Sequence, residues 1–259
     1  MNAREDIAFL VGSEVRVEIL RALRSAPDRP SDLADRSSCA RETAQRTVTA
    51  FADRGWAEKV PGTDRYRLTR AGELVASSYD DFEECLAVSA RFRDLLANLN
   101  GGAPDLECET LSGTTHTRAT PDNPHTSINR LLDVMGDGDV DTLRGVTPIV
   151  SQVFNRAAER AIGPETDAEL VVDRGVLETS AAEYPEALDR ADQLDGFTLY
   201  VSPDPVSFGL VLVDGHAYLG AYDDNGNLVA SADADGDDDF VGWARRTFTR
   251  IRDRSTVWE

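Results

Sequence analysis

Apolar residues recur at steps of three and four along the first hundred positions. Beyond about residue 105, helical stretches alternate with short apolar runs of strand character. Around Ala40–Gly55 the apolar residues are Ala44, Val48, Phe51 and Ala52, one stripe of a helix that Gly55 should end. The other face carries Arg41, Glu42, Thr43, Gln45, Arg46 and Thr49.

Upstream, Glu5–Leu10 and Ser13–Leu23 read as helices, the second with Val15, Ile19, Leu20 and Leu23 inside and Ser13 as its cap. Pro27 and Pro30 break it, and Ser31–Asp35 reads as a short helix capped by Ser31. Ser37 and Ser38 make a turn into the 40–55 helix. Downstream, Trp56–Val60 and Arg65–Thr69 are two strands around a turn at 61–64. Arg65 and Arg67 share one face of the hairpin, Tyr66 and Leu68 the other. A short helix, a tight turn, a second helix with a polar leading face and a basic hairpin predict a winged helix-turn-helix.

Residues 71–99 read as one helix with Val75, Tyr79, Phe82, Leu86, Phe92, Leu96 and Leu99 on its apolar side, followed by a linker at 98–104. That much apolar surface must be covered, either by the same chain or by a second copy in a homodimer. The predicted domains are 1–75 (winged helix), 76–104 (connecting helix and linker) and 105–259, a mixed-sheet α/β domain. The last contains a hairpin of Glu107–Leu111 with Thr115–Ala119 and helices Thr126–Met135, Ile149–Ala161 and Tyr184–Leu194. Its strands are Leu143–Val146, Glu169–Val172, Phe197–Val201, Phe208–Val213, Ala217–Tyr222 and Leu228–Ala232. Turns fall at Asp214-Gly215 and Asn225-Gly226. The closing helix Phe240–Arg252 buries Phe240, Trp243, Ala244, Thr247, Phe248 and Ile251.

Charge alters this picture. The 259 residues carry a formal net charge of −20, with Asp well ahead of Glu and Lys59 as the single lysine. Such a surface suits a cytosol of molar salt, the setting of a halophile. The charge is unevenly spread. Residues 1–72 hold thirteen basic and eleven acidic residues, whereas residues 73–259 hold fourteen basic and thirty-six acidic ones. A surface that faces phosphates has to escape acidification in this way. The candidate DNA-contacting residues are therefore Arg41, Glu42, Thr43, Gln45, Arg46 and Thr49 on the helix and Lys59, Arg65 and Arg67 on the wing. The partner is double-stranded DNA, with Arg41, Thr43, Gln45 and Arg46 as base readers.

Other chemistry is thin. No apolar run reaches the length of a membrane span and no signal peptide is evident, so a cytoplasmic protein without a membrane partner is expected. Cys39, Cys85 and Cys108 are scattered, which predicts neither a disulfide framework nor a zinc site. No phosphate loop, nucleophile elbow or calcium loop is spelled out, and no cofactor or metal is expected. Glu83-Glu84 and Asp237–Asp239 read as solvated charge runs, and His216 as an exposed hairpin residue. Polar residues near Pro-bounded loops of the last domain are the candidate effector contacts: Thr120, Asn123, His125, Thr147, Ser151, Tyr200, Asp214 and Tyr222. Sensing of a small molecule and a purely assembling role both stay open for this domain.

The N-terminal pattern, over about residues 5–75, resembles the winged helix-turn-helix of archaeal and bacterial regulators of the ArsR and TrmB types. It departs from them in having Ala40 where a Ser or Thr cap is usual. The second half resembles the FilR-type methanogenesis regulator middle domain. The matching stretches are Ala119–His125, Gly145–Val146-Thr-Pro148, Leu194–Tyr200, Phe208–Asp214, Leu219–Asp224 and Trp243–Arg250. The resemblance implies a sequence-specific transcriptional regulator of haloarchaeal type, with a C-terminal domain similar to the phospholipase D-like domain of TrmB-type sensors. A phospholipase D site needs a histidine followed two residues later by lysine, and none occurs here, so no enzyme is expected. The alternative is a winged helix that binds proteins and has no sequence-specific DNA contact.

Overall fold

The computed structural model describes residues 2–99, 101–136, 138 and 140–258. Asn100, within the expected linker, lies outside the described residues. The chain forms two compact units, residues 1–84 and 85–259.

In the first unit the helices are α1 (Ala3–Val11), α2 (Glu14–Ser25), α3 (Pro30–Arg36) and α4 (Arg41–Asp53), followed by strands β1 (Ala57–Lys59) and β2 (Tyr66–Leu68). Helix α5 (Arg70–Arg91) begins in this unit. The core joins Ile19, Leu20 and Leu23 of α2 to Leu33 of α3 and to Ala44, Val48 and Phe51 of α4. Phe9, Phe51 and Trp56 stack with ring centroids 5.8–6.2 Å apart, and the Arg54 guanidinium lies 3.8 Å over Phe9. Gly72 is packed so closely on the wing that a Cβ would sit 1.9 Å from the Trp56 carbonyl oxygen, so only glycine lets α5 start there.

Several local expectations change. Ser31 is inside α3 and does not cap it, because Pro30, with its φ already preset, takes the first helical position. Ser13 sits at the start of α2 but makes no capping bond. On α4 the buried set is Ala44, Thr47, Val48 and Phe51, while Ala52 is exposed, since the stripe drifts toward Thr47 on a 3.6-residue helix. Asp28 and Tyr66 exchange backbone hydrogen bonds, which adds a third short strand contact to the wing.

The expected long helix over 71–99 breaks at Phe92, which caps α6 (Arg93–Asn98). Phe92 and Leu99 are buried, with Val88 and Leu95, but Phe82, Leu86 and Leu96 are exposed. Next comes α7 (Cys108–Ser112). The Glu107–Leu111 strand expected here is thus helical, and its proposed partner β3 (Thr115–Arg118) pairs with a distant strand. The cause is covalent in part: Cys85 and Cys108 form a disulfide, contrary to the unpaired cysteines expected, and Cys39 alone is free. Spacing could not reveal this pair, because it depends on where α7 lands. Replacing Cys108 by Ser is expected to lower stability by about 3 kcal/mol, the chain-entropy value for a loop closed over 23 residues. Denaturant midpoints of the variant and the oxidised wild type check this, and equal midpoints would contradict it.

The remaining elements are α8 (Thr126–Met135), β4 (Thr142–Val146), α9 (Gln152–Ala161), β5 (Asp167–Asp173), α10 (Arg174–Glu183) and α11 (Pro185–Asp192). After them come β6 (Phe197–Ser202), β7 (Phe208–Val213), β8 (His216–Tyr222), β9 (Leu228–Ala234), α12 (Asp239–Arg252) and β10 (Thr256–Val257). Helix α10 and strand β10 have no counterpart in the sequence reading. Among the described residues they build an eight-stranded sheet in the order β10-β6-β5-β4-β7-β8-β9-β3. β4, β5 and β6 are parallel, so each connection between them needs a crossover, supplied by α9 and by α10 with α11. The other pairs are antiparallel. Asp214 and Gly215 both adopt positive φ (46° and 89°), the two-residue turn that β7 and β8 need.

The strand alternation is strict where it matters. Leu210, Leu212, Ala217, Leu219 and Ala221 face a core closed by Phe240, Trp243, Ala244 and Phe248 of α12. Val211, Val213, Tyr218 and Tyr222 face the opposite way, toward α8 and α9. Ile251 is only half-buried at the end of α12. His216 is not an exposed hairpin residue: its Nε2 lies 3.1 Å from Oδ2 of Asp233, which is 1% exposed and also accepts from Arg130. Asp233 is thereby committed to an ion pair whose carboxylate is buried and whose guanidinium is a third exposed.

Candidate functional site

All nine DNA-contact candidates are exposed. Arg41, Glu42, Thr43, Gln45, Arg46 and Thr49 stand on the outer face of α4, and Lys59, Arg65 and Arg67 on the hairpin β1–β2. Helix α4 starts at Ala40 without any side-chain cap. Gln45 Nε2 donates to Thr49 Oγ1 at 3.3 Å and, at 3.5 Å, to the Tyr66 hydroxyl of the wing. Thr49 Oγ1 in turn donates to the Gln45 carbonyl. These contacts brace helix and wing, so part of the Gln45 amide is already spent.

Ion pairing sorts the cations of this unit. Arg21 and Arg24 are held by Asp80, Arg29 by Asp64, Arg36 by Asp28, Arg54 by Asp6 and Arg70 by Glu73. On the wing, Arg67 is paired with Glu58 across the strands. Arg65 reaches only the Pro27 carbonyl, at 3.2 Å. Arg41, Arg46 and Lys59 have no carboxylate partner among the described residues. Arg4 and Arg16 share that condition, but Arg16 is used inside the unit, against the Phe9 carbonyl and ring. A chain with 47 acidic residues thus leaves four cations unpaired on one helix and its adjoining hairpin. Free guanidinium forks on a helix face suit phosphate oxygens and guanine edges.

The effector candidates do not form one group. Thr147 and Tyr222 line a cavity of about 740 Å3 in the second unit, and the other six do not. Thr120 and Asn123 close a small turn on each other, and His125 precedes α8. Ser151 caps α9 by accepting from the Phe154 amide, and Asp214 accepts from the Thr142 amide at the hairpin. Tyr200 packs on the α12 side of the sheet. The sequence reading missed Asn155, Glu159, Ser180 and Arg190, which line the cavity. Gly145 and Gly209, inside strands, were the available signal. Burial pushes the Tyr218 and Tyr222 hydroxyls up, so both remain protonated. Among the described residues no group of three or more His, Cys, Asp or Glu converges on a metal position.

Family models match both units. Residues 4–91 match the HVO_A0261 N-terminal domain. Residues 124–254, half of the chain, match the middle domain of the methanogenesis regulatory protein FilR1. The chain belongs to the FilR1 middle-domain family. No curated protein matches this FilR1-type sequence. Among solved structures it is similar to TrmBL2, described as an archaeal chromatin protein with a novel mode of DNA binding. That match has 13% identity and a TM-score of 0.41, and covers 98% of this chain and 100% of the other. It is also similar to the transcriptional regulator Tm0710 from Thermotoga maritima, at 20% identity and a TM-score of 0.24, over 37% of this chain and 80% of the other. A third likeness is to the dimethyltransferase RosA from Streptomyces davawensis, at 15% identity and a TM-score of 0.26, over 77% and 64%. Likenesses this weak assign neither a fold nor an activity to the FilR1-type chain.

Proposed function

We propose that this FilR1-type protein is a sequence-specific, DNA-binding transcription regulator without enzymatic activity. Helix α4 enters the major groove, and the hairpin β1–β2 touches phosphate or the minor groove. The observation that carries the reading is the set of cations without a carboxylate partner among the described residues, Arg41, Arg46, Lys59 and Arg65, in a unit whose other arginines are mostly held by carboxylates. The family name, a regulatory protein, points the same way.

The protein acts as a homodimer in this reading, with exposed Leu74, Phe82 and Leu86 of α5 available to a second copy. The second unit senses an effector or mediates assembly. A phospholipase D-like ancestry for that unit belongs to the same proposal, stripped of its chemistry. The protein works in the cytoplasm, where its DNA is; no described helix is long and apolar enough to cross a membrane.

Genome-wide occupancy of the tagged protein tests the reading, with wild type beside an Arg41→Ala/Arg46→Ala double variant. Discrete promoter peaks that disappear in the variant are expected. Absence of peaks in wild-type cells would overturn the proposal.

A further inference from the structure

The sheet of the second unit treats its two faces differently. One face is sealed by the contiguous core under α12. The other carries two separate apolar clusters, one around Leu131, Tyr218 and Tyr222 and one around Val172, Val176 and Leu199. The cavity of about 740 Å3 lies between them, with walls drawn from both. Protein interiors normally fill such space, and pockets for small molecules run about 300–1,000 Å3.

Two strand glycines shape its wall. Gly145 of β4 and Gly209 of β7 both line the cavity. A Cβ at Gly209 would stand 2.9 Å from the Tyr222 hydroxyl, and one at Gly145 would stand 2.8 Å from Leu170 Cδ1. Without a Cβ at these two places, Leu170 and Tyr222 lie down against the sheet, where a larger residue would push them into the cavity.

The polar groups restrict what can enter. Asn155 of α9 lines the cavity, and its buried Nδ2 has no hydrogen-bond partner. The only charged groups among the lining residues are Glu159 and Arg190, and they are paired with each other between α9 and α11. No free cation therefore waits for a carboxylate. A sugar would leave most of its hydroxyls unpaired against Leu, Val and Phe walls. Tyr184, Gln193 and Tyr222 add a few polar atoms to walls that are otherwise apolar, so what fits is a mainly apolar body with an acceptor for the Asn155 amide.

We propose that this cavity binds an uncharged, mainly hydrocarbon small molecule bearing a carbonyl-type oxygen, and that Asn155 turns its covered, unpartnered amide to donate to that oxygen. The proposal deepens the sensing half of the proposed function and rests on that half alone. The test therefore reads ligand binding without DNA, so that failure here and failure of the DNA reading are separable.

The full-length protein, in molar potassium chloride, is titrated with 6-propionyl-2-dimethylaminonaphthalene, a neutral ketone whose emission shifts blue in apolar surroundings. A saturable blue shift is expected, displaced by 2-octanone about tenfold more effectively than by octanoate. Asn155→Leu removes the donor at similar volume. It should weaken the ketones, the probe included, about tenfold, the loss of roughly one hydrogen bond, while octane's own affinity, calculated from displacement with the variant's probe affinity, stays unchanged. Ala158→Phe, which fills the cavity, should abolish all binding. Should that variant fail to fold, a rise in the wild-type melting temperature with 2-octanone gives an independent readout. No saturable binding by the wild type, tighter displacement by octanoate than by 2-octanone, or unchanged ketone affinity in Asn155→Leu would each overturn the proposal.

Discussion

Replacing Arg41 and Arg46 together by alanine is expected to weaken binding to a specific DNA site by roughly a hundredfold or more. Each arginine that reads a guanine edge contributes about 1–3 kcal/mol. Both side chains are exposed on α4 and have no carboxylate partner among the described residues, so their removal should leave the fold intact. The melting temperature should therefore stay close to that of the wild type. Fluorescence anisotropy on a specific duplex and on a shuffled one, each at several salt concentrations, separates the two roles of a cation. Base contacts are lost mainly on the specific duplex. A phosphate contact, one of the two roles proposed for the hairpin, is lost on both, and the salt slope falls by about 1. Equal losses on the two duplexes in the double variant would contradict base reading by α4.

A large effect on stability should come from Asp233→Ala, at about 3 kcal/mol, the low end for breaking a buried pair because Arg130 is a third exposed. The Asp233 carboxylate on β9 is 1% exposed. It accepts from Arg130 Nε at 3.0 Å and lies 3.1 Å from His216 Nε2, so it joins α8 to β8 and β9. Its hydrogen bond is the main reason that the Arg130 guanidinium is held above its ordinary range. Alanine would leave that guanidinium without its carboxylate and His216 Nε2 without its partner, a loss only partly offset by water at the exposed third of Arg130. Thermal unfolding should show a fall of roughly 10 °C. Asp233→Asn, which keeps an acceptor, should fall less. A variant as stable as the wild type would show that Arg130 finds water or another acceptor at no cost.

The first unit was largely legible in the sequence because its signals are local. Apolar spacing marked α2 and α4, Gly55 marked the end of α4, and β2 alternates between exposed Arg67 and the inward Tyr66 and Leu68. What local spacing could not show was decided at a distance. The helical α7 goes with a disulfide that closes 23 residues, and β3 pairs with β9 more than a hundred residues away. Helix α10 was passed over although Asp173 caps it by accepting from the Val176 amide, because its apolar positions are few. The cavity exists only where helices meet a folded sheet. Residues chosen for standing near prolines, such as Ser151 and Asp214, are used up in caps and turns. Asn155 was hidden within an otherwise ordinary amphipathic helix.

The uncapped start of α4 has a consequence for how the protein meets its ligand. Ala40 offers no side-chain oxygen, and its carbonyl accepts from the Thr43 and Ala44 amides, so among the described residues it is the Arg41 and Glu42 amides whose positive ends stay open. A phosphate oxygen arriving there supplies the missing acceptor. Docking would then finish a helix that folding alone leaves open, and the backbone itself would register contact with the duplex before any base is read.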